Sequence, residues 1–570
     1  MPLLPTLRLP QVLLAPTLLF MLIATLPGCG GESHSESASG LRVEAPPVAC
    51  PGVDLAKLAS VIHVAPAGID SDSCGDKPAT ACASIGAGIA RCGVAGCAVA
   101  VQHGLYATTA TIVLRDAVSV HGSCRPGDEP DHFYRTVIQA SPPPGEPAIA
   151  ASGINSATAV TGIVVIAKDE TAPGEASIAM RISASRGLTL ASTTLSAGRG
   201  ADGATGTSSA GAPGGDGTTP AGLFSLGNGG AACPSGVPAS GAGGTGRDAN
   251  SFSIRSASCG PDCACAADPS GVPAAQLAGQ SSGNAKGGAA GGTGAFGGNC
   301  AGHPSIDPTP GNGGSGLAGE IGDCTQAGGQ AAAASASFGK FAAGRWVAGH
   351  GGAGASGGTG SGGGGGGAGG YSTFVPFIGA VESYYGFPGG GGGGGGCGGT
   401  GGAGGQQGGA SIPLVLIDSS VANLSGGASL VPGPGGNGGT GGAGGAGGPG
   451  GVAGNAFNGV KVLRNYIFSS TPVAMPGFGN SGGNGGNGGP GAGGAGGNGG
   501  PSVGIALVGN SPDAAPDGVH AGTPGAAGRQ GAGGANPLLA GSANSQCRSA
   551  DGQSGLQGAQ ASANHYVEGS

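Results

Sequence analysis

The chain has few charged and few aromatic side chains. Only 9% of its 570 residues are charged and 4% are aromatic, and its 21 lysines and arginines form no basic run. Nucleic-acid binding needs clustered lysine and arginine to neutralise phosphates, so no nucleic-acid partner is expected. Disordered chains usually carry more charge than this, so the composition also argues against a uniformly disordered chain.

The N-terminus has the pattern of an export signal. Arg8 is the only charge before the apolar run Val12–Thr25, and the residues LPGC, ending at Cys29, follow. A positive start, an apolar stretch and small residues before a cut site predict a signal peptide over 1–28. The run LPGC resembles the lipobox of bacterial lipoproteins, which implies lipidation of Cys29. Pro27 departs from the lipobox pattern, and ordinary signal-peptide cleavage is the alternative.

Lipidation would make residues 29–57 an anchor and tether. Residues 30–47 are small, polar and charged, as in a tether. Several acyl chains hold a protein firmly in a bilayer, so we expect an exported protein in the cell envelope, at the outer membrane or cell surface. Its predicted partners are the membrane, through the lipid, and either envelope polysaccharide or another surface protein.

The cysteine count agrees with export. Of 15 cysteines, setting Cys29 aside leaves an even number in a chain that reaches an oxidising compartment, which favours disulfides. The run CGPDCAC lacks the partner pair and histidines of a zinc site, and the sequence leaves the disulfide connectivity open. The disulfide candidates are Cys50, Cys74, Cys82, Cys92, Cys97, Cys124, Cys233, Cys259, Cys263, Cys265, Cys300, Cys324, Cys397 and Cys547.

Short β-rich runs separated by turn residues follow the tether. They predict strands at Val61–Val64, Ala98–Val101, Thr111–Leu114, Val118–His121, Thr136–Ala140, Val160–Ala167, Ile178–Ser183 and Leu188–Leu195. Cys82, Ile85, Ile89 and Cys92 fall on one face of a short helix. Recurrent strands with turn breakers are typical of stacked repeats.

This order resembles the N-terminal part of pectate-lyase-like proteins. The matching pattern V-x-P-x-G-x-D is formed by Val64, Pro66, Gly68 and Asp70, and a helix follows it. The resemblance implies an all-β fold, a right-handed parallel β-helix (solenoid), over 58–197 with a helix covering its open end. A fold by itself says little about activity.

Glycine dominates the next part, 198–534. The chain has 137 glycines, and in 435–451 the triplet Gly-Gly-X repeats without a break. Side-chain burial cannot order such a tract, so it either stays a flexible linker or packs backbone against backbone. A polyglycine-II helix has three residues per turn, which would align every X residue on one edge and leave two bare edges for neighbouring helices. Residues 535–570 are predicted as a polar tail.

Apolar islands interrupt the glycine tracts at 372–387, 411–431, 458–470 and 501–510. Leu416, Val462 and Leu507 lie about 45 residues apart, so we expect each island to add one strand to the stack. The tracts resemble the glycine-rich PGRS-type bacterial surface proteins, and this resemblance implies a surface-exposed, non-enzymatic role. A collagen triple helix does not fit, because two of every three positions are glycine and proline is sparse.

Two sets of side chains are candidate binding sites. Asp70, Asp72 and Asp76 alternate in a tight loop, as carboxylates that hold calcium do, although a solvated turn is the alternative. The aromatic residues of the first island predict a glycan platform or, alternatively, a small core. The platform candidates are Tyr371, Phe374, Tyr384 and Tyr385.

The sequence offers no catalytic arrangement. Lys168, Asp169 and Glu170 are contiguous, which predicts one exposed turn instead of charges on successive strands. His63 and His121 lie in strand runs and are interpreted as ordinary side chains. We therefore expect a non-enzymatic structural or adhesive envelope lipoprotein without a cofactor. The alternative is a β-helix protein that binds or degrades polysaccharide.

Overall fold

Parallel strands dominate the structure, a computed structural model. It describes residues 48–126, 135–222, 225–231, 233, 243–245, 315, 317, 338–368, 372–374, 382–384, 387–419, 423–425, 427–457, 478–511, 519–535, 549–566 and 568–569. The predicted all-β class with parallel sheets is confirmed.

Most strands belong to three parallel sheets. The first contains β2 (Ser60–Val64), β3 (Cys97–Gln102), β6 (Ser119–Pro126), β9 (Thr158–Thr161), β12 (Leu188–Ala191) and β19 (Asn423–Ser425), with β1 (Val48–Ala49) antiparallel to β6. The second contains β4 (Gly104–Thr108), β7 (Thr136–Ala140), β10 (Ile163–Ala167), β13 (Thr194–Ser196) and β20 (Ser429–Val431). The third contains β5 (Ile112–Val113), β8 (Ile149–Ser152), β11 (Ser177–Ser183), β18 (Ser411–Ile417), β21 (Ser502–Val508) and β22 (Gln560–Tyr566).

The chain visits the three sheets in turn. After β3, successive strands up to β13 enter the second, third and first sheets in rotation. Each strand therefore pairs with the equivalent strand of the previous or next circuit, which stacks apolar side chains in register. In the second sheet Ile138 lies beside Val165, which lies beside Leu195, and all three are fully buried.

Two predicted strands are each divided by a corner. The run Val160–Ala167 splits at Gly162 (φ 66°), and the run Leu188–Leu195 splits at Ser192 (φ 49°). A positive φ turns the chain sharply, so the two halves of each run enter different sheets. The prediction of one strand per run was wrong there, and strands β4 and β8 were not predicted at all.

A short helix follows β2, as predicted. It is α1 (Ile85–Arg91), and two 3₁₀ turns lie at Leu55–Lys57 and Pro78–Thr80. The Ser84 hydroxyl accepts a hydrogen bond from the Ala87 N–H (3.1 Å), which caps the helix N-terminus. Ile85 and Ile89 are buried against the first strands. No helix among the residues that the structure describes is long and apolar enough to span a bilayer.

The later islands do not all supply strands to the parallel sheets. Leu416 pairs directly with Leu507, so no strand from 458–470 intervenes between β18 and β21, and Val462 itself lies outside the described residues. The first island forms an antiparallel hairpin, β16 (Ser372–Phe374) with β17 (Glu382–Tyr384). The 45-residue repeat through Leu416, Val462 and Leu507 was therefore wrong, and the described strands of the first island lie outside the parallel sheets.

The C-terminal stretch is part of the fold. The predicted polar tail supplies β22 and β23 (Glu568–Gly569), and β23 pairs with the hairpin of β14 (Lys340–Ala342) and β15 (Arg345–Val347). Phe341, Trp346 and Tyr566 meet edge to face at centroid distances of 5.5 to 5.7 Å. This aromatic cluster packs on Ile178 and Ile412, on the side of the third sheet away from the main core.

Candidate interaction surface

The glycine-rich tracts lie side by side as extended segments. We number them in chain order: segment 1 is 198–221, segment 2 is 349–368, segment 3 is 388–410, segment 4 is 432–457, segment 5 is 478–501, segment 6 is 519–535 and segment 7 is 549–559. Together they are called the glycine array.

Backbone hydrogen bonds join the segments at every third residue. The N–H groups of Gly436, Gly439 and Gly442 in segment 4 donate to the carbonyls of residues 409, 406 and 403 in segment 3, at 2.8 to 2.9 Å. The same three-residue spacing recurs between segments 3 and 5, 4 and 5, 2 and 3, and 1 and 4. The three-residue period seen in the sequence therefore corresponds to a repeating set of inter-segment bonds.

These bonds arrange the segments in layers. Segment 4 bonds to segments 1 and 6 on either side, and segment 5 bonds to segments 3 and 7 in the same manner. Segments 1, 4 and 6 thus form one row, and segments 3, 5 and 7 form a second row. Further sets of bonds join the two rows: segment 4 bonds to segments 3 and 5, and segment 6 bonds to segments 5 and 7. Segment 2 bonds to segments 3 and 5. Segments 3 and 5 are thus surrounded mainly by other backbone, whereas segment 4 keeps one exposed edge.

The spacing between segments is too small for side chains. A Cβ atom on Gly396 would lie 2.7 Å from the Pro449 carbonyl oxygen, and one on Gly402 would lie 2.8 Å from the Gly494 nitrogen. Real Cβ atoms essentially never come within 3.0 Å of such atoms. Glycine is therefore required at these positions by close approach of the chains, which answers why the tracts exclude larger residues.

One broad surface of the array carries the X residues. In segment 4 the edge predicted from the sequence contains Asn437, Thr440, Ala443, Ala446 and Pro449, and all but the half-buried Ala446 are exposed. The neighbouring rows are exposed too: they are Asp202, Thr205, Pro213 and Asp216 on segment 1, and Thr523, Ala526, Arg529 and Ala532 on segment 6. We call these three rows the outer face.

Polar side chains on the outer face accept bonds from neighbouring backbone. Asp202 Oδ1 accepts from the Asn437 N–H (2.7 Å), and Asp216 Oδ1 accepts from the Val452 N–H (2.8 Å). Asn437 Oδ1 accepts in the same way from the Ala526 N–H (3.0 Å). These side chains satisfy outward N–H groups that no carbonyl reaches, and they lock neighbouring segments in register.

The predicted calcium loop is divided among different partners. Asp70 Oδ1 accepts bonds from the Ala83 and Ser84 N–H groups at 2.8 and 2.9 Å. Burial raises the pKa of Asp70, but these bonds from Ser84 and Ala83 outweigh it and leave the pKa below its usual value. Asp76 pairs instead with Arg91 (3.3 Å).

The three aspartates do not gather around one point. Among the residues that the structure describes, the one group of three metal-capable side chains is Asp70 with Cys74 and Cys82. Those cysteines are bonded to each other, so their sulfurs are not available as thiolate ligands. The calcium site at Asp70, Asp72 and Asp76 stays a prediction that no contact supports.

Disulfides form at eight of the candidate cysteines. The pairs are Cys50–Cys124, Cys74–Cys82, Cys92–Cys97 and Cys233–Cys397. The first pair fastens β1 against β6, and the last joins segment 3 to a residue beyond segment 1. The remaining candidates, Cys259, Cys263, Cys265, Cys300, Cys324 and Cys547, lie outside the described residues, as does Cys29.

Two of the four predicted glycan-platform residues lie within the described part of the chain. Tyr371 and Tyr385 lie outside the described residues, and for Phe374 and Tyr384 the structure gives only backbone positions in β16 and β17. Their neighbour Phe387 is buried and contacts Phe457 and Phe478, at centroid distances of 6.2 and 5.7 Å. That contact is the core filling that the sequence offered as the alternative.

The predicted exposed turn at 168–170 was wrong for Glu170. Glu170 is only 7% exposed, because the turn lies where the β-sheets meet the glycine array. The Glu170 N–H donates to the Arg199 carbonyl (2.9 Å), and Lys168 Nζ lies 3.5 Å from its carboxylate. Burial raises the pKa of Glu170 above its usual value, and Lys168 opposes that rise.

The two histidines predicted in strands are His63, in β2, and His121, in β6. His121 is buried, and its Nδ1 lies 2.9 Å from the Thr161 hydroxyl. Burial lowers the pKa of both His63 and His121. Among the residues that the structure describes, no carboxylate is shown beside either ring to complete the arrangement of a hydrolytic site.

Sequence reasoning missed one groove. A space of about 640 Å³ lies between α1 and strands β4 and β5, lined by Ile85, Ile89, Leu105 and Val113 among others. Leu105 and Val113 are 59% and 60% exposed. Its walls come from α1 and from two strands of the circuit that follows it, so the sequence signal is the pair of exposed apolar side chains Leu105 and Val113.

Comparison with known proteins gave no relative: no family model, no curated protein and no solved structure matches this chain.

Proposed function

We propose that the protein is a non-enzymatic cell-envelope lipoprotein with a structural or adhesive role. In this proposal the three parallel sheets are the faces of a right-handed β-helix, and the glycine array is a bundle of polyglycine-II helices attached to it. The acylated Cys29 anchors the body to the membrane, and the outer face is the surface that meets other envelope material.

The rotation of strands among three sheets supports the β-helix. Every third strand pairs in parallel with its equivalent one circuit earlier, as in the pairs β7–β10 and β10–β13. Connections between parallel strands are right-handed in nearly all proteins. The resemblance of 64–70 to pectate-lyase-like proteins agrees with this architecture and carries no activity with it.

The three-residue ladders carry the proposal. A polyglycine-II helix completes a turn every three residues, so each side of it presents one N–H per turn to the same neighbour. The bonds from Gly436, Gly439 and Gly442 follow that rule along segment 4. A bundle cross-linked in this way is stiff, and its exposed side chains sit on a fixed lattice, which suits a wall or an adhesive surface better than a catalytic cleft.

The anchor is supported by the N-terminal sequence and by where the tether ends. The LPGC run precedes the polar stretch 30–47. The predicted tether 29–57 ends earlier than expected, because the body begins inside it at β1, which the Cys50–Cys124 disulfide fastens to β6. A pull on the tether would reach the first sheet through a covalent bond.

Replacing Cys29 with alanine tests the anchor. The variant should move from the membrane fraction to the soluble fraction after export, whereas a Cys50→Ala variant, which keeps the lipidation site, should stay with the membrane. Unchanged partitioning of Cys29→Ala would refute the anchor. Incubation of the purified protein with pectin, alginate or chondroitin should release no unsaturated or reducing ends; turnover would favour the polysaccharide-degrading alternative.

A further inference from the structure

Asparagine precedes glycine at several places in the chain. The pairs within the described residues begin at Asn228, Asn437, Asn484, Asn487 and Asn498. Asparagine before glycine is prone to spontaneous deamidation, because glycine has no side chain to hinder attack by its own backbone nitrogen. All five pairs have the same local sequence, Gly-Asn-Gly-Gly, so only the fold can make their reactivities differ.

Deamidation is an intramolecular substitution followed by hydrolysis. The glycine nitrogen loses its proton and attacks the side-chain amide carbon of asparagine, so that a C–N bond forms and the side-chain nitrogen leaves as ammonia. Water then opens the resulting succinimide ring at either carbonyl, which gives aspartate or isoaspartate. Isoaspartate has one extra atom in the main chain, so it would shift a glycine segment out of its three-residue register.

The array bonds both reacting groups at two of these asparagines. Asn437 Oδ1 accepts a hydrogen bond from the Ala526 N–H (3.0 Å), and the N–H of the following glycine donates to the Ala526 carbonyl (2.8 Å). Asn498 Oδ1 accepts from the Leu556 N–H (2.9 Å), and the N–H of the following glycine donates to the Leu556 carbonyl (2.8 Å). We call such a pair of bonds to a neighbouring segment a clasp.

Segment 4 supplies the clasps of two more asparagines. Asn484 Oδ1 accepts from the Ala453 N–H (2.8 Å), and Asn487 Oδ1 accepts from the Gly450 N–H (2.9 Å). The N–H of the glycine after each asparagine donates to a carbonyl of segment 4 two positions earlier, at 2.9 and 2.8 Å. Four of the five pairs are therefore clasped.

A clasp opposes both requirements of the reaction. The proton that the glycine nitrogen must lose is bonded to a carbonyl, and the side-chain carbonyl that must turn towards this nitrogen is bonded to another N–H. Ring closure therefore breaks both bonds and leaves backbone groups of the neighbouring segment unpaired. Asn487 and Asn498 are only 4% and 0% exposed, so the fold also keeps from them the water that opens the ring.

Asn228 lacks a clasp. Its N–H donates to the Thr218 hydroxyl and its carbonyl accepts from the Thr218 N–H, both at 2.8 Å, so only its backbone is held. Its side chain is exposed. Among the described residues no hydrogen bond is shown to Asn228 Oδ1 or from the Gly229 N–H.

We propose that Asn228 is a site of spontaneous deamidation in the folded protein, and that the clasps protect the other four Asn–Gly pairs. The reaction consumes one water and releases one ammonia, and it needs no enzyme. Protection matters most in segments 4 and 5, where isoaspartate would break the register of the bonds to their neighbours. This inference goes beyond the proposed envelope role and does not depend on it.

Peptide mapping by mass spectrometry tests the proposal at each site. The full-length protein is incubated at mildly alkaline pH with and without denaturant, and the five pairs should react at similar rates in denaturant. In the folded protein the four clasped pairs should react at least about tenfold more slowly, which corresponds to about 1.4 kcal/mol in the barrier. Asn228 should keep a rate close to its denatured rate. A clasped pair that reacts equally fast in both conditions, or an Asn228 as slow as the others, would overturn the proposal.

An alanine inserted between Gly442 and Ala443 separates the effect of the clasps from that of the whole fold. It displaces the part of segment 4 that clasps Asn484 and Asn487, and it leaves in place the clasps supplied by segments 6 and 7. Deamidation should accelerate at the first two sites and stay slow at the other two.

The matched control is an alanine inserted between Asp72 and Ser73, in an exposed turn outside the array. It should leave all four clasped pairs slow. Equal acceleration of all four pairs by the segment 4 insertion would assign the protection to the fold as a whole, and no acceleration at Asn484 and Asn487 would show that the bonds do not protect. Either result would overturn the role of the clasps, whatever the membrane partitioning of Cys29→Ala.

Discussion

The β-sheets and the glycine array are ordered by opposite means. In the sheets, large side chains such as Ile138 and Leu195 stack in a dry interior, and the backbone bonds follow from that stacking. In the array, side chains are missing where the segments meet, and backbone groups bond directly to backbone groups. Methyl groups therefore hold the first region together, whereas an added methyl group would force the second apart.

Shifting the phase of one glycine segment should have the largest effect. An alanine inserted between Gly442 and Ala443 moves the rest of segment 4 out of step with segment 3. The bonds from Gly445, Gly448, Gly451 and Gly454 would be lost, and each unpaired buried group costs about 1–3 kcal/mol. The melting temperature should fall, and amide exchange along segment 4 should accelerate.

An alanine inserted between Asp72 and Ser73, in an exposed turn, is the control for that insertion. It interrupts the turn bond from the Cys74 N–H to the Ser71 carbonyl and should lower the melting temperature much less than the insertion in segment 4. If segment 4 exchanged its amides at the rate of a free peptide already in the wild type, the array would be a loose linker. The glycine segments would then not be ordered by contacts between their backbones.

Substitutions that remove or add methyl groups test the two regions separately, and we expect them to lower the free energy of unfolding by less than the insertion does. Leu190→Ala removes buried methyl groups from the core and should destabilise by about 2–5 kcal/mol. Gly402→Ala adds one methyl group against the Gly494 backbone and should destabilise by about 1–3 kcal/mol. Thr440→Ala, on the outer face, should be nearly neutral. These values come from chemical denaturation, and a neutral Gly402→Ala would show that the segments are not in close contact.

The smallest effect concerns pH at the junction of the two regions. The pKa of Glu170 is raised in the folded protein, so the folded state binds more protons than the unfolded state just above the usual carboxyl pKa. Stability should therefore decrease as pH rises from that value through the raised pKa. Glu170→Gln should remove this decrease, as thermal melting across the acidic range would reveal. A wild-type-to-variant difference that is constant with pH would contradict it.

Local patterns predicted much of the β region. Short β-rich runs identified β3, β7 and β11, because apolar residues between turn breakers have few other stable uses. Corners such as Ser192 were not recognised, since nothing in the local sequence distinguishes a residue at positive φ from an ordinary serine. Strand β22 was assigned to a polar tail because its two alanines and its polar side chains carry almost no hydrophobic signal.

For the outer face, the sequence predicted the exposed edge of segment 4 but not the contacts between segment 4 and its neighbours. The triplet period placed Asn437, Thr440 and Ala443 on one side of segment 4, and the structure leaves all three exposed. The sequence could not reveal that Asp202 and Asp216 would accept bonds from segment 4, because these residues are more than 200 positions away. Glu170 was expected to be exposed because its contiguous charges suggested a solvated turn, and its bond to the Arg199 carbonyl appears only in the fold.

The sequence by itself determined the short β-rich runs of the first region and the three-residue period of the glycine segments, whose X residues share an edge. Those patterns depend on local geometry, which each residue carries with it. Only the tertiary structure decided which segments become neighbours and which carboxylates are buried. Those outcomes depend on contacts between residues far apart in the chain, and backbone hydrogen bonds between glycines are the same whichever segment supplies them.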